Sequence, residues 1–457
     1  MSIALVISAR AAPALAHAAP QVLDVVWRPD GGLLLVTNRG LAFGGADGTG
    51  WKLMCNEAIH VTVSEKPGGV FLQDGTLLVA TTTGLKATND DGCTWRGVAP
   101  FAEVSVQAIA VHPTRPARVY VATYGMGQGG IHVTEDGGAS FTTLLKVEDD
   151  DFLRSLLIAP GSPESLYAAG SVFDTTGNFQ HYIARSVDSG ATWERMPAAV
   201  IGDELDVTLL DVSPTNSSSL LARASGANPG FTPERLLVSR DGGKTFSSPL
   251  SIASVLSASF SADGAGAWVT GQDGLWHSSD GLQSFEHVGD TISMSYAAEH
   301  GGELWVSGYY EGYVAAKDGI ARSTDAGEHF VTFTEFKDVA AQVQCDASSA
   351  TAMTCQMPFI DWQRERALFG NGSSTVSVSD LDAGMARSDA STASEPAATD
   401  AASGKKGSVA NTRARGCACD LGRTQRGRPH TVLLSSLLLP LFLRRRRRRH
   451  RHEWAPP

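Results

Sequence analysis

Between residues 22 and 335 the hydrophobic positions fall in short runs, broken every few residues by Gly and Asp. In one unit, 69–73 reads as a strand, Asp74-Gly75 as a turn, 77–81 as a second strand and 84–88 as a third. Further along, 267–270 and 304–307 are second strands in units of the same grammar. Runs this short, alternating with turn residues, predict antiparallel meanders.

The third strands lead into an octet of the form Ser/Thr-x-Asp-x-Gly-x-Ser/Thr-Trp/Phe. The clearest copy is 186–193 (SVDSGATW); others are 88–95 (TNDDGCTW), 134–141 (TEDGGASF) and 239–246 (SRDGGKTF). Two copies are worn: 278–285 has Leu282 in the Gly place, and 323–330 has His329 in the Thr place. A more degraded copy, 44–51, keeps Gly48 and Trp51. The closing aromatics stand at 51, 95, 141, 193, 246, 285 and 330, intervals that suit one four-stranded blade each. A single blade cannot bury both faces of its sheet, so the units must pack around an axis. The expected fold is therefore all-β, a seven-bladed β-propeller of four-stranded antiparallel blades.

The residue types of the octet make turns. Its Asp accepts backbone N–H bonds between the third and fourth strands, its Gly supplies a backbone angle that side chains resist, and its aromatic fills space under the turn. The pattern resembles the BNR or Asp-box repeat family, which includes bacterial sialidases, sortilin ectodomains, xyloglucan-cleaving enzymes and photosystem II assembly-factor propellers. The resemblance spans about residues 22–335. It implies that Asp90, Asp136, Asp188, Asp241, Asp280 and Asp325 hold turns and are not catalytic.

Charge changes the picture at the ends. The net charge is −11, but twelve Arg against two acids lie from Arg413 onward, leaving 25 basic and 46 acidic residues and a body near −21. Such a body is unsuited to nucleic acid through general electrostatics. Residues 1–18 read as an export signal, with the apolar run 3–7 and small residues in Ala16-His17-Ala18, though Arg10 interrupts it and no basic start precedes it. Residues 370–416 are a low-complexity linker rich in Ser, Ala, Thr and Asp. Beyond it, 417–452 holds Cys417-Ala418-Cys419, an apolar segment 431–443 and six arginines at 444–449. The apolar segment is short for a membrane span, and the arginines would hold its end in the cytoplasm. This three-part order resembles the MYXO-CTERM sorting signal of myxobacterial surface proteins. The resemblance implies a sorting protease acting near Cys417 and Cys419, membrane attachment through the tail before processing, and display on the cell surface or outer membrane.

The four remaining cysteines of an exported chain predict disulfides. Cys345 and Cys355 flank an Asp-Ala-Ser-Ser turn and are expected to clip a hairpin after the last blade; Cys55 and Cys93 lie at neighbouring octets and are expected to pair. No spacing suits zinc. A short amphipathic helix is predicted at 359–369, with Phe359, Trp362 and Leu368 facing inward, to close the 22–369 propeller domain.

Function is expected on the face opposite the octets, where second and third strands join and blades are linked. Four of those loops are expanded and carry Tyr124, Phe173, Asn178, His181, Phe231, Tyr309, Tyr310 and Tyr313. Aromatic rings and amides gathered on one rim suit a glycan or a surface protein. The links on that face are acidic (148–151, Asp203, Glu204, Asp206, Asp290, Asp338) and read as a solvated rim; no calcium loop, metal motif or cofactor motif appears. Sialidases of the resembled family carry an Arg-Ile-Pro motif, absent here, and six blades; the xyloglucan enzymes pair two propellers, where this chain has one. The expected function is a surface-displayed binding module. The alternative is a glycoside hydrolase, sialidase-like or other, acting on extracellular polysaccharide through two carboxylates.

Overall fold

The computed structural model describes residues 20–369, apart from 62–65, 126, 174–178, 198–203, 227–231, 290–292 and 309–318. The expected export signal, linker and Cys417/Cys419 tail lie outside these residues. Among the described residues no helix is long and apolar enough to cross a membrane.

Seven four-stranded antiparallel sheets form in chain order, each a simple meander. Blade 1 comprises Val22–Trp27, Leu33–Thr37, Gly40–Gly44 and Lys52–Cys55; blade 4 comprises Asp151–Ile158, Leu166–Phe173, Phe179–Ser186 and Glu194–Pro197. The first strands of the seven blades are Val22–Trp27, Gly68–Phe71, Ser105–His112, Asp151–Ile158, Glu204–Val212, Val255–Phe260 and Met294–His300. Each touches the next, and the last touches the first, so the ring is closed. Apolar side chains fill the space between neighbouring sheets. Leu34, Val36 and Phe43 of blade 1 meet Phe71, Leu77 and Val79 of blade 2. Tyr296, Trp305 and Ile320 of blade 7 meet Val22, Val25 and Leu35 of blade 1. Every fully buried Leu, Val or Phe there contributes about 1.5–3 kcal/mol.

The octets share one hydrogen-bond network. In blade 4, Ser186 Oγ donates to Asp188 Oδ1 (2.7 Å) and accepts from Gly190 N (2.8 Å). Asp188 Oδ1 accepts Thr192 N (2.8 Å), and Oδ2 accepts the Thr192 hydroxyl (2.6 Å). The same bonds recur at Asp90, Asp136, Asp241, Asp280 and Asp325, with His329 Nδ1 standing in for the hydroxyl at Asp325. Positions four and five are both left-handed, as in Ser189 (φ 62°) and Gly190 (φ 91°). The worn copy keeps this shape: Leu282 takes φ 65°, and its N–H still reaches Ser278 Oγ. In the most degraded copy the indole of Trp51 donates to Gly48 O (2.8 Å), as Trp193 does to Gly190 O (3.1 Å). Arginines then tie blades together at this face: Arg28 reaches Asp91 (2.8 Å), and Arg240 reaches the Gly281 and Leu282 carbonyls.

The C-terminal segment corrects two expectations. The bonds are Cys55–Cys355 and Cys93–Cys345, not Cys55–Cys93 and Cys345–Cys355. Asp346-Ala347-Ser348-Ser349 is no hairpin turn; Ser349 Oγ accepts Ala352 N (3.1 Å) and caps a helix, Ala350–Phe369, that carries Cys355 away from Cys345. Cys55, meanwhile, ends a strand running away from the octet face, whereas Cys93 lies in an octet turn. The short strand Ala341–Gln342 pairs in parallel with Lys52–Leu53, which brings the segment alongside blade 1. Thr351 Oγ1 then reaches Gly92 O in blade 2 (3.0 Å). The helix begins nine residues before the predicted 359. Trp362 is buried, donating to Val339 O (3.2 Å), and Phe359 packs against the same cluster; the side chain of Leu368 lies outside the described residues.

Closing loops of 252 and 300 residues constrains the unfolded chain by about 5 kcal/mol for the first crosslink, with less from the second because the loops are nested. Non-reducing peptide mapping should therefore link Cys55 to Cys355 and Cys93 to Cys345, and reduction should lower the melting temperature; a Cys55–Cys93 peptide pair would contradict this closure.

The octets also set an acid limit. Chiefly through the position-seven hydroxyl, Asp136 and Asp188 are lowered to about 2; Asp325 reaches about 2 chiefly through the His329 amide. Asp280 is lowered as well, chiefly by the Ser284 hydroxyl. In Asp90 and Asp241 burial opposes the same bonds, and the net direction is still down. A folded-state pKa below the unfolded one gives stability that is complete above about pH 5 and lost as pH falls from about 4 toward 2. Asp211 has the opposite sign. Burial pushes it up to about 6 although Val212 N and Phe260 N both donate to it, so its part is complete below about pH 4 and lost as pH rises through 6. Six lowered groups outweigh one. The thermal midpoint should fall steeply below pH 4, and Asp188→Asn should make that fall shallower. Ser186→Ala should cost about 1–3 kcal/mol in urea titration, since it leaves the buried Gly190 N–H unpartnered.

Candidate ligand platform on the long-loop face

The innermost strands reach the long-loop face through a repeated irregularity. Opposite the partner strand, one residue is skipped in six of the seven blades, at Leu23, Gln107, Arg154, Leu205, Leu256 and Ser295. Five of these bulges lie at the same height and that of blade 5 two partner residues nearer the loop; each turns its strand more sharply and re-aims its side chains. In blade 7 it lets Ser295 Oγ reach Val22 O across the ring closure (2.8 Å). In blade 4 it presents Arg154, whose Nε lies 3.0 Å from Asp206 Oδ1 of blade 5. Asp206 Oδ2 also accepts the Thr208 hydroxyl (3.0 Å).

Register sets the aromatic side chains around this arginine. Phe152 pairs with Ser171, and Ser171 with His181, so all three occupy one face of the blade 4 sheet. Phe173 and Phe179 pair in the next row on that face, at the end of the loop. Tyr124 comes across from blade 3 and stacks on Phe152 (4.6 Å, 26°). Phe173 stacks on Phe179 (4.4 Å, 29°), and Phe152 meets both edge-on. His181 continues the row beside Phe179. Phe173 is 41% exposed. The guanidinium of Arg154 lies 6.0 Å from the Phe152 ring. Beneath the row, Ser171 is buried and its hydroxyl has no hydrogen-bond partner among the described residues.

Of the expected rim residues, the structure thus brings Tyr124, Phe173 and His181 into one platform. Asn178, Phe231, Tyr309, Tyr310 and Tyr313 lie outside the described residues. Phe152 and Arg154, which organise the platform, were not among the expected residues. Their signal is in the strand Asp151–Ile158, where Arg154 and Ser155 interrupt the apolar positions just after an acidic link.

The acidic links were expected to form a solvated rim, and several are instead tied into the fold. Asp151 is buried; it accepts the Tyr182 hydroxyl and pairs with Arg195 (2.7 Å), whose guanidinium lies 4.1 Å over the Tyr182 ring. Burial raises Tyr182 well beyond the ordinary phenol range, so its proton stays in that bond. Asp149 accepts Gly127 N (2.9 Å), and Asp338 accepts Glu335 N (2.9 Å). Asp203 and Asp290 lie outside the described residues. Among the described residues one trio of metal-type side chains comes together, Asp325, Glu328 and His329, all exposed and on the octet face, with Asp325 already engaged in its turn.

Clefts open on the octet face between blades 1 and 2, 2 and 3, and 5 and 6, of about 300, 430 and 500 Å³. The first two include residues of a blade's first turn and of the next blade's octet, and the third lies between the fourth strand of blade 5 and the octet of blade 6. The aromatic platform occurs once among the described residues, and for that reason it is the better candidate.

No protein-family model and no curated protein sequence matches the chain. Solved structures do. An ancestral GH74 enzyme superposes with a TM-score of 0.50 at 15% identity, covering 68% of this chain and 46% of its own. YCF48 from Cyanidioschyzon merolae gives 0.42 at 14%, covering 63% and 92%, and the Niastella koreensis GH74 enzyme gives 0.28 at 12%, covering 68% and 71%. The chain spans about half the length of the first of these. At such identities the likeness is one of fold: a seven-bladed β-propeller with structural neighbours among GH74 and YCF48 proteins.

Proposed function

We propose that this chain is a surface-displayed binding module of the BNR or Asp-box type, exported through residues 1–18 and carried to the cell surface by a MYXO-CTERM-type tail, with a glycan as its ligand and a surface protein as the other candidate. The observation that carries the reading is the aromatic platform of Tyr124, Phe152, Phe173, Phe179 and His181, with Phe173 exposed and the other four half-buried. Flat rings present apolar faces to the C–H faces of sugars, and the polar groups beside them direct hydrogen bonds. Hydrolysis is supported less. Asp151 and Asp206, two of the carboxylates beside the platform, are each bound to an arginine rather than standing free as acid and nucleophile.

Two experiments test this. On a glycan array, Phe173→Ala with Phe179→Ala should reduce retention at least tenfold at unchanged melting temperature, while turnover of a model glycoside by the unaltered chain would favour the hydrolase. Replacing Cys417 and Cys419 by Ala should release or mislocalise the protein; unchanged surface retention would mean a plain tail anchor.

A further inference from the structure

The platform has a polar end, and its chemistry narrows the ligand. Arg154 and Asp206 meet side by side where the aromatic row reaches the innermost strands, and both side chains keep access to solvent (36% and 24%). Arg154 uses Nε toward Asp206, so its terminal N–H groups remain available as donors. Asp206 offers its acceptor through Oδ2, which takes the Thr208 hydroxyl and keeps a further lone pair, while Oδ1 is buried against Arg154 Nε. A donor and an acceptor at this spacing match two neighbouring hydroxyls on one sugar ring, one accepting from the guanidinium and the other donating to the carboxylate.

The surroundings oppose a charged sugar of either sign. Glu148, Asp149 and Asp150, all exposed, precede Phe152 in the link, and Lys146 is the one base between residues 142 and 153. Asp206 balances Arg154. A sugar carboxylate or sulfate would therefore enter a field with negative charge in excess. The guanidinium of Arg154 beside Phe152 would repel a cation.

We propose that the Arg154–Asp206 pair reads adjacent hydroxyls of an uncharged sugar ring seated on the aromatic platform, and that the carboxylates around it exclude acidic sugars. The inference rests on the glycan reading above. It is tested with the full chain and three sets of defined oligosaccharides: uncharged hexose oligomers, uronate oligomers and glucosamine oligomers. The uncharged set should bind, and Arg154→Gln or Asp206→Asn should each weaken it at least tenfold. The double variant, which restores a neutral hydrogen-bonding pair between blades 4 and 5, should melt near the unaltered protein and still bind weakly. Uronate oligomers should bind at least tenfold less well at low salt, the gap narrowing as salt screens the acidic link. Equal or stronger binding of uronate or glucosamine oligomers, or unaltered affinity in folded Arg154 and Asp206 variants, would overturn the inference and leave the platform in place. Binding of none of the three sets would overturn the glycan reading itself.

Discussion

Closure of the ring is the constraint on which everything else depends. Seven wedge-shaped sheets bury their faces only if the seventh also meets the first, and an open ring would leave two apolar sheet faces in water. Because each blade here is a meander of consecutive strands, no strand is exchanged between the two ends of the propeller. A strap after the last blade does that work. It adds a parallel strand outside blade 1, buries Trp362 between that blade and blade 7, and is bonded through sulfur to blades 1 and 2. Removing the strap would leave closure to the direct contacts of blade 7 with blade 1, among them Tyr296, Trp305 and Ile320 on Val22, Val25 and Leu35 and the Ser295 bond to Val22 O.

Once closed, the ring has two faces of different character. On the octet face the carboxylates are consumed: every octet Asp accepts an amide and a side-chain donor, and arginines from neighbouring blades reach several of the turns. That face is scaffold, and its acid sensitivity follows from it. The long-loop face keeps groups in reserve. Bulges in the inner strands turn side chains toward the rim, and aromatic residues from two blades converge above them. A protein whose turns are stabilised on one side can vary the loops of the other at little cost to the fold.

Much of this was legible in the chain. The octets located their own turns, and the spacing of the closing aromatics counted the blades, because local hydrogen bonds and strand periodicity act over a few residues. Leu282 and His329, which looked like worn positions, keep the network because Leu282 bonds through its backbone N–H and the His329 ring Nδ1 takes the place of the hydroxyl. The platform was half legible: Tyr124, Phe173 and His181 follow from loop composition. Phe152 and Arg154 do not, since their placement depends on a bulge and on Tyr124 and Asp206 of the two adjoining blades.

The disulfides mark the boundary most plainly. The sequence by itself determined the blade, its repeat and the role of each octet aspartate, for these are local consequences of residue type. Which cysteines pair was decided by the tertiary structure alone. Ser349 starts a helix where a turn was expected, and ring closure brings Cys355 to Cys55 and Cys345 to Cys93 across 300 and 252 residues. Distances of that kind are set by packing around an axis, and packing around an axis leaves no trace in the spacing of four cysteines.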